Sequence, residues 1–240
     1  LGNPFNLGTV VELCKKYNLW LIEDTCDALG AEFNGQKCGT FGDFGVLSFN
    51  GNKIITTSGG GALAANSKKL KEKAIFYATQ ARDQAPHHQH SEIGYNYRMS
   101  NICAGIGRGQ MEVLDNHVAL RIKMHNFYES LFKEINGVTV FKTPNSDYFS
   151  NYWLTTILID PILTDGINRE TLRLALDAEN IESRPLWKPM HLQPVFEEYP
   201  YYGATVAEML FENGLCLPSG SNLTENECER IAKVVKSTFK

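Results

Sequence analysis

The chain has 240 residues, of which 43% are hydrophobic and 21% are charged, and its formal net charge is -4. This ordinary globular composition, with mild acidity and no Lys/Arg-rich block, argues against a nucleic-acid-binding protein. No apolar run approaches the roughly 20 residues that a membrane-spanning helix needs, and the first residues carry no secretion signal.

The first part of the chain alternates helical and strand-like segments. Apolar residues between Thr9 and Tyr17 have helical spacing, and Ser67 is a suitable N-cap for a helix that runs to about residue 81. Three short apolar runs predict buried strands: Leu19–Asp24, Phe44–Phe49 and Gly61–Ala65. Strands that alternate with helices in this way predict an α/β fold with a mainly parallel sheet.

Beyond this part the pattern changes twice. Residues 82–97 are polar, contain three histidines and show no period, so we expect a long functional loop. Residues 100–135 predict one or two long helices, with Met111, Leu114, Val118 and Arg121 as the positions that face a neighbour.

The remaining sequence predicts a smaller α+β unit. Tyr152–Asp160 alternates like a half-buried strand, and Asn168–Asn180 and Thr224–Phe239 have the pattern of amphipathic helices. We therefore divide the chain into residues 1–115, which form part of a large α/β domain, and residues 116–240, which form a small C-terminal domain.

Polar residues follow two of the predicted strands, at the sheet edge where ligands of open α/β sheets bind. Asp24 and Asp27 follow one strand, whereas Ser48 and Lys53 follow another and precede three glycines. A carboxylate can hold a cationic nitrogen, a serine with glycines can contact a phosphate, and a lysine can form a Schiff base.

Together these groups are the minimum equipment for pyridoxal phosphate, whose ring acts as an electron sink when its nitrogen is kept protonated. Each residue also has a plain structural interpretation. Asp24 can be a turn residue, Ser48 a buried hydroxyl, Lys53 a solvated cation and the glycines a flexible turn.

Several long motifs carry a resemblance to a known family. They are I-E-D-T-C-D-A-L-G-A at 22–31, G-T-F-G-D-F-G-V-L-S-F-N-G-N-K-I-I-T-T-S-G-G-G at 39–61, G-Y-N-Y-R-M-S-N at 94–101, R-P-L-W-K-P-M-H at 184–191 and C-L-P-S-G at 216–220. The sequence resembles the DegT/DnrJ/EryC1/StrS nucleotide-sugar aminotransferases, which are fold-type I pyridoxal phosphate enzymes. It is most similar to those that aminate C4 of UDP-4-keto-6-deoxy-N-acetylglucosamine, and the similarity covers essentially the whole chain.

The resemblance implies roles toward the cofactor. Lys53 would be the Schiff-base lysine and would carry protons, and Asp24 would hold the pyridine nitrogen. Asp27, where relatives have longer side chains or His, would contact the cofactor hydroxyl or ring face. Ser48 would contact the phosphate. Asn96 would reach the phosphate of the neighbouring subunit's cofactor, which makes the active site composite and the protein a homodimer.

The resemblance also implies the substrates. Glutamate would donate the amino group, and a nucleotide-linked 4-keto-6-deoxy sugar would accept it at C4, for a lipopolysaccharide, capsule or protein glycan. The residues expected to bind the sugar nucleotide are Arg98, Arg184, Trp187, Lys188 and His191. Their plain alternative is a structural loop with exposed cations.

Family members have many more residues before the point that matches Leu1. That part holds the first strands of the large domain, an aromatic residue that stacks on the pyridine ring and a turn that binds the phosphate. We therefore expect the chain to be a piece of a longer protein that lacks part of the cofactor pocket. The alternatives are a non-catalytic binding or regulatory protein, an inert remnant, and a cofactor-free Schiff-base aldolase, which would leave Asp24 without a cationic ring.

The six cysteines form no C-x-x-C pair and have no histidine at metal-ligand spacing, so no metal site is expected. A chain of this length does not need disulfides, and we expect free thiols in a reducing cytoplasm. Their even number leaves a secreted disulfide framework as the alternative.

Overall fold

The computed structural model describes residues 1–240, which form two compact units. The first unit comprises Gly2–Ala119 and Thr143–Trp153, and the second comprises Leu1, Leu120–Lys142 and Leu154–Lys240. The predicted division after residue 115 lies close to the first crossing, but it does not include the return of Thr143–Trp153 to the first unit.

The secondary structure alternates throughout the chain. In chain order the elements are α1 (Leu7–Tyr17), β1 (Ile22–Asp24), β2 (Glu32–Phe33), β3 (Gln36–Lys37), β4 (Phe44–Ser48), β5 (Gly61–Ala65), α2 (Lys68–Ala78), α3 (Asn101–Glu112), α4 (Leu114–Phe132), β6 (Val138–Val140), β7 (Tyr148–Phe149), β8 (Thr156–Ile159), α5 (Arg169–Ala178), β9 (Arg184–Pro185), α6 (Val206–Asn213), β10 (Gly214–Cys216) and α7 (Glu225–Thr238). Two short 3-10 helices, Met190–Leu192 and Pro194–Phe196, precede α6.

The larger sheet of the first unit has the strand order β1-β4-β5. β1 and β4 are parallel, with Asp24 opposite Val46, because a crossover separates them in the chain. The predicted α/β fold is confirmed, but the pairing of β4 with β5 is antiparallel. The reason is that the loop after β4 folds directly back, with the Phe49 amide donating to the Gly60 carbonyl at 2.9 Å.

A second small sheet, with the order β3-β2-β7, joins the two segments of the first unit. Glu32 lies opposite Phe149 and Phe33 opposite Tyr148, and the Phe33 and Tyr148 rings meet edge to face at 5.0 Å. Phe33 also belongs to a small buried cluster with Leu7, Ala31 and Cys38. This pairing fixes the segment that precedes Trp153.

The second unit is built on a four-stranded sheet with the order β6-β8-β10-β9 and an apolar core. Asn168 and Thr224 cap α5 and α7 with capping boxes, where the sequence predicts the starts of these helices. The buried Tyr128 hydroxyl donates to the Pro218 carbonyl at 2.7 Å. The buried core comprises Met124, Tyr128, Phe132, Val140, Ile157, Ile159, Leu172, Leu176, Ile181, Leu215, Leu217, Ile231, Val234 and Val235.

Two local predictions need correction. Met111 is half exposed, whereas Leu114, Val118 and Arg121 are buried as expected, because the helix breaks at residue 113 between α3 and α4. The predicted strand over Tyr152–Asp160 is only Thr156–Ile159 and does not alternate, because side chains on both of its faces are covered. None of the helices combines the length and apolarity that crossing a membrane requires.

Candidate active site

The ends of β1 and β4 bring the predicted polar residues to one edge of the first unit's sheet. The Thr25 amide and hydroxyl both donate to the Val46 carbonyl, at 3.0 and 2.7 Å, and thereby fix the backbone that follows Asp24. Ser48 ends β4 opposite Gly61. Because β1 and β4 are parallel neighbours, Asp24 and Ser48 lie at the same edge, as the sequence predicts.

Lys53 lies between a carboxylate and an aromatic ring. Its ammonium forms an ion pair with Asp27 and lies 4.5 Å from the centre of the Trp153 ring. Only 15% of the Lys53 side chain is exposed, compared with 88% for Lys68 on α2. The interpretation of Lys53 as an ordinary solvated cation is therefore wrong for this structure.

The loop that carries Lys53 is anchored on both sides of it. Ile54 and Ile55 are buried, and the Ile54 carbonyl lies 3.1 Å from Nδ1 of His117. The Thr56 amide donates to the side-chain oxygen of Gln110 on α3 at 3.3 Å. A partly buried amine on an anchored loop keeps its position, which is what chemistry at a fixed atom requires.

Two of the three glycines after this loop are explained by the backbone. Gly60 has a φ of +101°, a backbone conformation that residues with a Cβ rarely adopt. A Cβ on Gly61 would lie 2.4 Å from the Leu47 carbonyl oxygen across the β4–β5 pairing. Gly60 and Gly61 are therefore needed for the chain to return along β4, which is a structural role.

Hydrogen bonds and charge favour the ionised form of Asp24. The side chain and the backbone amide of Cys26 bond to its carboxylate, and together with the Lys53 charge they lower the pKa of Asp24 against a smaller effect of burial. The amide contact measures 3.2 Å. Burial, and then the neighbouring Asp24, raise the pKa of the Cys26 thiol to about 11. Asp24 can therefore hold a cationic group over the whole neutral range.

Sequence reasoning missed the role of Glu23, the residue before Asp24. Its carboxylate is buried and accepts backbone hydrogen bonds from Gly39 at 2.8 Å and from Phe41 and Gly42 at 2.7 Å. Because side chains alternate along a strand, Glu23 faces the interior while Asp24 faces the edge. The glycines that flank residues 40 and 41 are the sequence signal for this anion-binding turn.

Asn151 and Trp153 were also missed. The buried Asn151 amide donates to the carbonyls of Asp27 and Leu29 at 2.9 and 2.8 Å, and its oxygen accepts from the Trp153 amide at 2.8 Å. The Trp153 indole donates to the Asn52 carbonyl at 2.7 Å. No local pattern links residues so far apart in sequence, so the sequence alone could not place them beside Lys53.

The other predicted residues of the first unit are at or near its surface. The Ser48 hydroxyl accepts weakly from the Asn50 amide at 3.4 Å. Asn96 and Arg98 are exposed on the loop before α3, and Asn96 forms a β-bridge with Thr79. Their roles toward a phosphate, a neighbouring subunit or a substrate stay predictions.

The remaining predicted substrate residues lie in the second unit, and their role stays a prediction as well. Arg184 is exposed and donates to Glu182 at 2.6 Å, and Trp187 and Lys188 are exposed beyond β9. Nε2 of His191 lies 2.9 Å from the Glu208 carboxylate, and its ring stacks on Tyr201 at 3.7 Å.

The chain shows no cluster of three His, Cys, Asp or Glu side chains that could hold a metal ion. All six cysteines are free. Burial, and then the charge of Glu23, raise the pKa of the Cys38 thiol to about 11.

Comparisons with known proteins agree with this chemistry. The model of the DegT/DnrJ/EryC1/StrS aminotransferase family matches residues 1–236. The chain is 46% identical to EpsN of Bacillus subtilis (strain 168), whose name describes a pyridoxal phosphate-dependent aminotransferase, over 99% of this chain and 61% of that protein. It is 36% identical to GDP-perosamine synthase of Escherichia coli O157:H7, over 96% of this chain and 62% of that protein.

Among solved structures, the chain is similar to PseC of Helicobacter pylori, an aminotransferase involved in the biosynthesis of pseudoaminic acid. The TM-score is 0.89 at 25% identity, over 98% of this chain and 64% of that one. The chain thus spans less than two thirds of the length of each of these three relatives.

Proposed function

The chain belongs to the DegT/DnrJ/EryC1/StrS aminotransferase family, and from this premise we propose that the protein transfers an amino group to a nucleotide-linked keto sugar. The amino donor is glutamate, and the acceptor is the C4 ketone of a 4-keto-6-deoxy sugar. The names of the related GDP-perosamine synthase and PseC support an amino-sugar product. The assignment of C4 rests on the sequence motifs, and the product serves a surface polysaccharide or glycan.

One observation carries the proposal: a shielded lysine amine lies at the carboxyl edge of the sheet beside two carboxylates. Lys53 is ion-paired with Asp27, and its charge also acts on Asp24. This donor set fits pyridoxal phosphate, the cofactor of this family. Lys53, Asp24, Asp27 and Ser48 would hold it, and Asn96 would contact the cofactor of a second subunit in a homodimer in the cytoplasm.

When bound, pyridoxal phosphate supplies an electron sink that stabilises the carbanion formed as a C–H bond breaks. The ionised Asp24 keeps a ring nitrogen cationic, which the sink requires. The neutral amine of Lys53 is the form that acts as nucleophile and base. It then takes and returns protons at the reacting carbons, a role worth about 10²–10⁴-fold in rate.

The non-catalytic alternative is not favoured, because the residues that chemistry needs are present and two of them are paired with each other. A protein that only binds a ligand needs no shielded amine. The cofactor-free aldolase alternative gives Asp24 no task, although the structure holds its carboxylate ionised.

The test is Lys53→Ala in the cofactor-loaded protein. We expect turnover with glutamate and UDP-, GDP- or dTDP-4-keto-6-deoxy sugars to fall at least about 10³-fold, because both the nucleophile and the proton carrier are lost. Amino-sugar formation is followed by mass spectrometry, and Lys68→Ala on α2 is the control that should keep full turnover.

Undiminished amination by Lys53→Ala would refute the proposed function. If another amino acid replaces glutamate as the effective donor, only the donor is reassigned. If the native protein loads pyridoxal phosphate but aminates none of the three sugar nucleotides, the assignment of the acceptor is wrong.

A further inference from the structure

Two of the neighbours of Lys53 in the first unit depend on one buried amide. Asp27 pairs with the ammonium, and the Trp153 ring lies 4.5 Å from it. Asn151 is fully buried, donates to the Asp27 carbonyl at 2.9 Å and accepts from the Trp153 amide at 2.8 Å. The carboxylate and the ring therefore share an anchor.

A second contact connects Trp153 to the loop that carries the lysine. The indole N–H donates at 2.7 Å to the carbonyl of Asn52, the residue before Lys53. Trp153 itself is 2% exposed, so this hydrogen bond is protected from water. The ring is thus fixed at its backbone by Asn151 and at its indole by the Lys53 loop, which leaves it little freedom to move.

We propose that Trp153 is a positioning residue for Lys53, and that Asn151 is the shared anchor that aligns Trp153 and Asp27 with the lysine. The negative face of an indole attracts an ammonium most strongly where water is excluded. The ring also covers one side of the amine and holds the ammonium beside Asp27.

This inference goes further than the proposed function and rests on it, since it matters for catalysis only if Lys53 is the acting amine. It assigns tasks to two residues that lie outside the strand-end motifs. It also explains why Thr143–Trp153 returns to the first unit: the segment delivers the ring and the anchor to the amine.

The test measures the reactivity of Lys53 without substrate or turnover. The cofactor is removed by dialysis against hydroxylamine, the protein is acetylated briefly with acetic anhydride, and the ratio of Lys53 to Lys68 labelling is measured by mass spectrometry. In Trp153→Leu we expect this ratio to rise about five-fold, because the cation loses its aromatic partner and its cover.

Graded variants keep the test decisive if Trp153→Leu folds poorly. Trp153→Phe keeps a weaker aromatic face but loses the indole N–H, so the ratio should rise about two-fold. Asn151→Asp keeps the acceptor for the Trp153 amide but turns a carboxylate oxygen toward two carbonyls, so it should raise the ratio as well.

Two control variants distinguish the positioning of Lys53 from a general loss of stability in the first unit. Trp20→Leu removes an exposed tryptophan from the same unit and should leave the ratio unchanged. Phe33→Leu weakens the small core cluster and should lower the Tm without changing the ratio.

A ratio in Trp153→Leu or Trp153→Phe equal to that of the native protein would overturn the role of Trp153. A ratio that rises as much in Phe33→Leu would show that Trp153 acts only through stability. An unchanged ratio in Asn151→Asp would overturn the role of Asn151. If Lys53→Ala keeps full turnover, the proposed function fails, although the labelling result still stands.

Discussion

The four-stranded sheet of the second unit contributes to a continuous apolar core, whereas the loops around Lys53 in the first unit are held by buried polar groups. Ile157, Ile159 and Leu215 in the second unit are completely buried. In the first unit, Glu23 and Asn151 are the buried polar residues that hold these loops in place.

The difference shows where each kind of interaction is useful. Apolar burial is strong but not directional, so it stabilises a unit without fixing the position of individual backbone atoms. Hydrogen bonds to a buried carboxylate or amide specify which atoms meet. The loops around Lys53 and Asp24 are held by the second kind, and the predictions below test this contrast.

The largest expected effect is on the apolar core. Leu176→Ala on α5 should lower the free energy of unfolding of the second unit by about 3 kcal/mol, because it removes buried methyl groups and leaves a cavity. Hydrogen exchange of peptides from residues 154–240 measures this. Leu174, which is 52% exposed on the same helix, supplies the control variant Leu174→Ala, whose effect should be small.

If Leu176→Ala and Leu174→Ala lower the free energy of unfolding equally, apolar burial does not dominate the stability of the second unit. The contrast between the units then fails. Equal loss of protection in peptides from residues 2–119 would show instead that the two units unfold together.

Glu23→Gln tests the role of buried polar groups in the first unit and should lower the free energy of unfolding by about 2 kcal/mol. The substitution removes the charge and turns an N–H₂ group toward one of the three backbone donors, which leaves that donor unsatisfied. Hydrogen exchange at residues 39–42 should increase, and the affinity for pyridoxal phosphate should fall because β1 carries Asp24. Glu12→Gln, at an exposed position on α1, is the control.

Unchanged hydrogen exchange at residues 39–42 in Glu23→Gln would mean that the turn does not need the Glu23 carboxylate to keep its conformation. A loss of stability with normal cofactor affinity would place Glu23 in the fold alone.

The strand ends and helix caps could be predicted from the sequence because they are local. Ser67, Asn168 and Thr224 cap helices that begin within a residue of the expected positions. These features depend on residues that are close together in the chain.

The pairing of Lys53 with Asp27 and its contact with Trp153 could not be predicted in the same way. Trp153 reaches the site only because β7 pairs with β2, and strand pairing between distant segments has no local signal. The antiparallel β5 was missed for a similar reason, since its direction depends on how the intervening loop returns. The sequence therefore predicted that Asp24 and Ser48 lie at one sheet edge but not the surroundings that shield Lys53.

The smallest expected effect concerns Cys26, whose hydrogen bonds lower the pKa of Asp24. A depressed pKa in the folded state contributes stability that is present above the ordinary value of 3.8 and is lost as the pH falls through the folded-state value. Cys26→Ala removes the side-chain bond and keeps the amide bond. The pKa of Asp24 should therefore rise, and the loss of stability on acidification should begin at a higher pH.

Carbon-13 NMR of the Asp24 carboxyl measures this titration directly, with Cys103→Ala on α3 as the control. An Asp24 titration that is the same in Cys26→Ala and in the native protein would show that the amide and Lys53 alone set its pKa.

The chain leaves the first unit after Ala119, returns at Thr143 and leaves again after Trp153. During synthesis, Lys53 and Asp27 therefore leave the ribosome well before Asn151 and Trp153 exist. Until residue 153 has emerged, Lys53 lacks the Trp153 ring that lies beside it in the folded chain. Lys53 thus gains its aromatic neighbour only after the chain has also produced α4, the longest helix of the protein.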